Sequence, residues 1–370
     1  DRHNGMELPL MNSEVTMENY IDVFNKTDES TASSPSGIHY GHYKAAIEKD
    51  NLAKVNLIFM TTPFIVGIPL TRWERSLHCM IQKVSKPYIT KLRIVQLYEA
   101  DFNTMLKHLM GKRLMEHSER HGLNGNQLYG SRKGKSTYEA LITVRVMYDM
   151  ARVQRDYLVS IFNDLKGCYD RVRPALNTLT TRRMELPGKA AVCHAKTLRR
   201  MEHHVRTSFG ISEQTLKWCK KNNPGGLGQG NGAGCVSWHS HMLVLEEAYG
   251  KATDNTVEFG NPDSVRKFRQ WLVGFVDDNS LLFSFKNLGY HNPAVKLIRE
   301  AKNSLEKWQR LVHISGGELE LTKSSYSVMA WKLADGKEKL CSIAEAPGNL
   351  KLRSEKYQGL EVELQRNEVN

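Results

Sequence analysis

No two cysteines in this 370-residue chain are spaced as CxxC. Cys79, Cys168, Cys193, Cys219, Cys235 and Cys341 lie scattered along it. That pattern excludes a zinc ribbon and the disulfide framework of a small secreted domain. Cys193, His194, His203 and His204 lie close in sequence, but their spacing follows no common zinc pattern. A reduced, intracellular setting, cytoplasm or nucleus, is therefore expected. The Asn25-Lys26-Thr27 sequon does not overturn it, because such triplets arise by chance. No apolar run approaches the roughly 20 residues that span a bilayer, and no signal-peptide pattern is visible, so no membrane partner held through a spanning segment is expected. No solenoid repeat is present. The chain opens on Asp1 without a methionine, which reads as a piece of something longer.

What is present is ordinary in bulk and unusual in charge. Hydrophobic residues make up 40% and charged residues 25%, as in a soluble globular protein long enough for two or three units. The formal net charge of +12 favours an acidic polymer or an anionic membrane as partner. The competing reading is a solvated basic surface.

Residues 1–36 are polar, end in a Ser/Thr/Pro cluster, and read as a loose lead-in. Ala45–Phe59 and Glu99–Glu116 carry apolar residues at helical spacing. Leu77–Leu97, with short alternating runs around Pro87, predicts a strand pair. Tyr157–Phe162 (YLVSIF) predicts a buried strand, and the pattern after Asp170 is helical to about Arg206. Residues 222–234 form a glycine-rich loop ahead of a helix over Val236–Ala248. Trp271–Phe285 (WLVGFVDDNSLLFSF) has two apolar runs around a polar centre, a hairpin signature. Lys296–Leu311 predicts a helix, Gly316-Gly317 a turn, and Tyr357–Leu364 a last strand. Mixed helices and hairpins with few βαβ units predict an α+β fold.

Three aspartates carry the chemistry. Asp164 closes the YLVSIF strand, and Asp277-Asp278 sit at the hairpin tip. A solvated turn accounts for Asp277-Asp278 taken alone. A strand ending in Asp and a hairpin bearing two can also gather carboxylates at one sheet edge. Such a cluster repels itself unless cations neutralise it. Magnesium prefers hard oxygen ligands, usually one or two carboxylates plus substrate phosphates. Two such ions, about 3.5–4 Å apart, can stabilise both the attacking and leaving oxygens of phosphoryl transfer.

A family resemblance rests on these residues and on others in fixed order. Asp164-Leu165-Lys166-Gly167-Cys168-Tyr169-Asp170 resembles the first palm motif of reverse transcriptases, and Phe275-Val276-Asp277-Asp278 resembles their aromatic-x-Asp-Asp motif. Gln229-Gly230 is similar to the intervening Gln-Gly motif, Gly316-Gly317…Lys323 to the next palm motif, and Tyr357–Leu364 to the primer-grip hairpin. Upstream, Ser36-Gly37-Ile38, Lys83…Arg93-Ile94 and Gly130-Ser131-Arg132-Lys133-Gly134-Lys135-Ser136-Thr137 resemble the fingers motifs of retroelement enzymes of the non-LTR kind. The resemblance covers roughly residues 33–365.

It implies a right-hand polymerase core with helical fingers, an antiparallel palm and little thumb. The expected divisions are the lead-in over 1–36, fingers with the first palm elements over 37–150, palm over 151–335, and a primer-grip-like segment with the start of a thumb over 336–370. It makes Asp164, Asp277 and Asp278 ligands of two magnesium ions, with manganese as a substitute. Tyr169 becomes a steric gate selecting deoxynucleotides, where the residue alone could be a core aromatic. Lys83 and Arg93 would contact the incoming triphosphate, and Lys323 would protonate departing pyrophosphate. Gln229 and Gly230 would approach the nucleotide or template, with amides of the following helix aimed at it. The implied partners are an RNA template, a DNA primer, their RNA–DNA hybrid and deoxynucleotide triphosphates. An RNA-dependent RNA polymerase with the same palm, or a decayed nucleic-acid-binding remnant, is the alternative.

Two other matches compete. Gly228-Gln229-Gly230-Asn231-Gly232-Ala233 fits the dinucleotide fingerprint, but Lys217–Pro224 before it is no apolar strand. Gly130–Ser136 falls one residue short of a P-loop. Some positions depart from the family pattern: Gly234-Cys235 stands where Ser-Pro is usual, Ser131 replaces a Phe, and Asn163 and Asn279 are unusually polar neighbours of the aspartates.

Overall fold

The computed structural model describes residues 8–33, 35–82, 88, 92–217, 226–254, 256–259, 268–286, 293–342, 350–353 and 361–367. Helices and strands are mixed along the chain in the expected α+β manner. Helices α1 (Met17–Asn25), α2 (Tyr40–Ile47) and α3 (Asp50–Val66) precede strands β1 (Arg75–Ile81) and β2 (Arg93–Leu97). Helix α4 (Ala100–Met105) passes through π-helical turns over Leu106–Arg113 into α5 (Leu114–Arg120). Next come α6 (Thr137–Gln154), β3 (Tyr157–Asp164), α7 (Cys168–Arg171), α8 (Pro174–Arg183) and α9 (Gly188–Arg200). Strands β4 (Glu202–Thr207), β5 (Gly210–Ile211) and β6 (Leu216–Lys217) lead to α10 (Gly234–Ala252). Then follow β7 (Val257–Phe259), β8 (Phe268–Gln270), β9 (Leu272–Phe275), β10 (Asp278–Phe285) and α11 (Pro293–Ile314). The remaining described strands are β11 (Ser325–Met329), β12 (Trp331–Ala334), β13 (Lys337–Leu340), β14 (Lys351–Arg353), β15 (Glu361–Glu363) and β16 (Gln365–Arg366).

Two compact units emerge, each built from two stretches: Asp1–Leu123 with Tyr169–His241, and Asn124–Cys168 with Met242–Asn370. They are units of packing.

In the first unit the sheet order is β2-β1-β4-β5, with β6 also on β4. The expected strand pair is β1 and β2, antiparallel from Leu77 opposite Leu97 to Ile81 opposite Arg93. Two expectations are corrected here. From residue 8 on, the opening stretch is not all loose: Thr16 and Asn19 form a capping box on α1, and Tyr20 and Phe24 are buried. Helix also does not run to Arg206. It stops at Arg200, and residues 202–207 pair parallel with β1 because His203 is buried there against Ser76 and Gln96. The same unit holds a buried acidic pair, Glu99 and Asp101. Arg72 donates to both, Trp73 Nε1 donates to Asp101 at 3.1 Å, and the backbone and hydroxyl of Ser36 donate to Glu99 at 2.9 and 2.7 Å. Every carboxylate oxygen of this pair is therefore spoken for.

In the second unit the sheet order is β16-β11-β3-β10-β9, antiparallel except for β16 with β11. Side chains alternate across a strand, so β3 offers Leu158, Ser160, Phe162 and Asp164 to one face and Val159, Ile161 and Asn163 to the other. Helix α6 covers the first face, where Ala140, Met147 and Ala151 pack with Leu158, Val273, Leu282 and Met329. Ser136 starts that helix through a capping box with Glu139, a contact worth about 1 kcal/mol. Helix α11 meets the second face, its fully buried Trp308 reaching Asn163. Buried on both sides, β3 reads as the mostly apolar run seen in the sequence, with Ser160 and Asn163 as its buried polar members.

Candidate active site at the carboxylate end of the sheet

The second unit gathers the three aspartates' backbones at one end of its sheet. Strands β3 and β10 pair so that Asp278 stands opposite Asp164, with Asn279 opposite Asn163 on the next rung. Strand β9 returns to β10 with Phe275 opposite Asp278, leaving Val276-Asp277 as a two-residue connection. Val276 has φ +58°, and Asp277 is not among the positive-φ residues, the sign pattern of a type II′ hairpin turn. A β-branched residue at positive φ costs about 1–3 kcal/mol and persists only when its surroundings enforce it.

The enforcing segment precedes α6. A Cβ on Gly130 would lie 2.5 Å from the Val276 nitrogen, so only glycine permits this backbone approach. The Tyr129 amide donates to the Gly274 carbonyl and the Gly274 amide to the Gln127 carbonyl, both at 2.8 Å. Arg132 fastens the loop by donating to the carbonyls of Gly125 and Leu128. The Gly130–Ser136 segment thus braces a turn and caps a helix, and Lys135 lies over the Tyr129 ring. It is not a phosphate cradle of the P-loop type.

Charge at this end is under-compensated. Lys323 Nζ donates to Asp164 Oδ2 at 2.8 Å. It is brought there because the chain after the Gly316-Gly317 turn bridges Leu319 to Leu165, and the Glu320 amide donates to the Asp164 carbonyl at 2.9 Å. The Asp164 hydrogen bond pushes the Lys323 pKa up. Asp278 is exposed as a residue, yet partial burial of its carboxyl, followed by the charges of Asp277 and Asp164, raises its pKa above the ordinary value. Lys323 acts in the opposite direction but does not cancel those effects. A cleft of about 320 Å³ opens beside these groups, with Asp164, Asp278 and Lys323 on its polar side. Leu141 and Val144 of α6, with Phe162, Val273 and Phe275, supply apolar lining.

Among the described residues, no group of three or more His, Cys, Asp or Glu side chains stands ready to hold a metal ion. The carboxylates at this end are hard oxygen donors, the chemistry that suits magnesium or manganese. Magnesium needs few protein carboxylates when phosphates complete its shell. Cys193 and His194 are buried structural groups. Burial pushes the Cys193 thiol up to about 12 and the His194 imidazole down to about 4.

Arg93, Tyr169, Gln229 and Gly230 belong to the first unit. Lys83 lies outside the described residues, as do residues 357–360 of the expected primer-grip hairpin. From that hairpin, Glu361–Glu363 is described, as a strand antiparallel to β14. Arg93 is exposed at the first position of β2. Tyr169 is half-buried, its ring beside Gly234 and its hydroxyl 3.4 Å from Cys235 Sγ.

Gln229 and Gly230 are pinned to β2. The Gln96 amide donates to the Gln229 carbonyl at 2.6 Å, and Gly230, at φ +113°, passes so close to the Gln96 carbonyl that a Cβ would fall 2.3 Å from its oxygen. Asn103 holds the same loop through the Gly230 carbonyl and the Gly232 amide. The amides ahead of α10 are partly used internally, since Asn231 Oδ1 accepts from Ala233 and the Asn231 carbonyl from Gly234. Gln96 and Asn103 are supports that sequence reasoning missed. Asn103 sits in an apolar-periodic helix, and only the distant loop reveals its purpose.

Neither a scan against protein-family models nor a search of the curated proteins returns a match to the chain. Among the described residues no helix is long and apolar enough to cross a membrane.

Proposed function

We propose that the chain is the polymerase core of a retroelement reverse transcriptase, extending a primer 3′-hydroxyl with deoxynucleotides on an RNA template. The observation that carries the reading is the register that sets Asp164 opposite Asp278 at the end of an antiparallel sheet, with Asp277 in the adjoining turn. Apolar strands ending in under-neutralised carboxylates beside a cleft suit chemistry done by charge placement. Asp164, Asp277 and Asp278 would hold magnesium, or manganese in its place. When bound, the two ions would stabilise the attacking and leaving oxygens of phosphoryl transfer.

The chain's own residues would do the rest. Lys323, with its raised pKa, holds a proton at Asp164 and would deliver it to the departing pyrophosphate. Arg93 and Lys83 would clamp the triphosphate, an Arg doing so through two parallel hydrogen bonds. Tyr169 would occupy the space of a ribose 2′-hydroxyl. Gln229 and Gly230 would meet the nucleotide or template from a loop held by Gln96 and Asn103. The +12 net charge favours a template–primer hybrid gripped by its phosphates and read by shape. Fingers over 37–150, palm over 151–335 and a primer-grip segment over 336–370 belong to the same proposal.

The test is primer extension by Asp277→Asn with Asp278→Asn. Extension should vanish while affinity for the hybrid stays near that of the unaltered chain. Undiminished extension by the double variant would refute the metal assignment. Hybrid binding without magnesium-dependent extension by the unaltered chain would identify a binding remnant instead.

A further inference from the structure

Asn163 and Asn279 are buried, at 4% and 3% exposure, in strands where an apolar residue would be the ordinary occupant. They face each other one rung from the Asp164–Asp278 pair, on the opposite face of the sheet. Trp308 Nε1, fully buried on α11, donates to Asn163 Oδ1 at 3.1 Å. Asn163 Nδ2 donates to the Asn279 carbonyl at 3.2 Å. Asn279 Nδ2 in turn donates to the Asp277 carbonyl at 3.0 Å.

Chemistry fixes the direction of this relay. An indole N–H can only donate, so Asn163 must turn its oxygen to Trp308, which leaves its nitrogen for Asn279. A carbonyl can only accept, so Asn279 must turn its nitrogen to Asp277. A line of donors therefore runs from the helix, through both central strands, into the turn that bears the aspartates.

Asn279 keeps this geometry at a cost: its Oδ1 is buried without a hydrogen-bond partner. A buried amide left half-satisfied is unfavourable unless its other half is needed. What it holds is a turn that cannot hold itself, because Val276 stands at φ +58°. Gly130 restrains that turn at Val276, and Asn279 restrains it at Asp277.

We infer that Trp308, Asn163 and Asn279 are positioning residues that hold the Val276-Asp277 turn, and through it the Asp277 and Asp278 carboxylates, in the geometry that takes a divalent cation. The inference rests on the polymerase reading of the three aspartates. It also accounts for the two asparagines that set this chain apart from the family pattern it resembles.

The experiment titrates the purified chain with Mn2+ and follows the free ion by electron paramagnetic resonance, alongside thermal melting and primer extension. Three variants are compared: Asn279→Ala, Trp308→Phe, and Asn163→Leu combined with Trp308→Phe. Asn279→Ala and the double variant should bind Mn2+ about 10- to 100-fold more weakly. The magnesium needed for half-maximal extension should rise in parallel, with KM for deoxynucleotide unchanged. The double variant should melt closer to the unaltered chain than Trp308→Phe does, because both partners of the Trp308–Asn163 hydrogen bond leave together and only the Asn279 carbonyl loses a donor.

Normal Mn2+ affinity in a double variant that melts normally would reduce the relay to packing and overturn the inference. Should Trp308→Phe unfold the chain, Asn279→Ala carries the same test, since it leaves Trp308 and Asn163 paired. Asp277→Asn with Asp278→Asn separates the two readings. If Mn2+ binding needs the aspartates but ignores the relay, only this inference falls. If it ignores the aspartates too, the polymerase reading falls with it.

Discussion

The two units each hold an acidic cluster, and the clusters are opposites. Glu99 and Asp101 are fully buried, and Arg72, Trp73 and Ser36 satisfy them. Asp164, Asp277 and Asp278 lie at a sheet end open to solvent, with Lys323 as the cation hydrogen-bonded to Asp164. In the first cluster the carboxylates are matched and the gain is structural. In the second, Asp278 feels the other two charges and is held above its ordinary pKa. A protein does not keep such repulsion for stability, so the difference separates a structural acid cluster from one suited to a cationic ligand.

Four perturbations sharpen the comparison. The largest effect is expected from Asp164→Asn, which should cut primer extension on the order of 10³-fold, the scale for losing one charge-stabilising group. Circular dichroism should show the fold intact, and retained extension would move the reaction centre elsewhere. Next, Arg72→Ala should destabilise the first unit by about 3 kcal/mol, because two buried carboxylates lose their cation. Urea unfolding would register it, and an unchanged midpoint would deny the structural role. Lys323→Ala should lower the rate of extension about 100-fold, as for loss of a general acid. The loss should be in kcat and not in KM for deoxynucleotide, and single-turnover kinetics would separate them.

The smallest effect concerns pH. The Asp278 pKa is raised in the folded state, so its contribution to stability is present below the unfolded carboxylate pKa and is lost as pH rises through the folded value. Asp278→Asn should therefore melt above the unaltered chain at neutral pH, with the gap closing below about pH 4. Magnesium should narrow the neutral-pH gap. A variant that melts lower at pH 7 would show that repulsion at this end is not what the geometry indicates. Lys323 has the opposite linkage: its raised pKa gives stability that is lost only on the alkaline side, as pH rises through its folded value.

Much of the second cluster was legible in the sequence. A buried run closing on Asp164 and two apolar runs around Asp277-Asp278 carry the period-2 pattern that builds β3, β9 and β10, and alternation fixes which side chains share a face. The strand pair over Leu77–Leu97 and the helix behind Gln229-Gly230 were legible for the same local reasons. The first cluster was not. Arg72 meets Glu99 and Asp101 across a gap of 27 and 29 residues, and nothing local marks the pairing. Trp308 meets Asn163 across 145 residues. Residues 202–207 continue a helical pattern locally and become a strand only because β1 offers its edge. Helix α1 was hidden in a polar stretch, and its buried anchors are Tyr20 and Phe24. Local chemistry announces a turn or a strand end, whereas a buried ion pair or relay exists only after tertiary packing.

The most direct measurement is incorporation by the unaltered chain on an RNA template with a DNA primer, with deoxynucleotides and ribonucleotides compared, and with and without magnesium. Magnesium-dependent extension with deoxynucleotides in strong preference is expected, with a loss of that preference in Tyr169→Val. Extension independent of a divalent cation, or equal use of both nucleotide types by the unaltered chain, would contradict it.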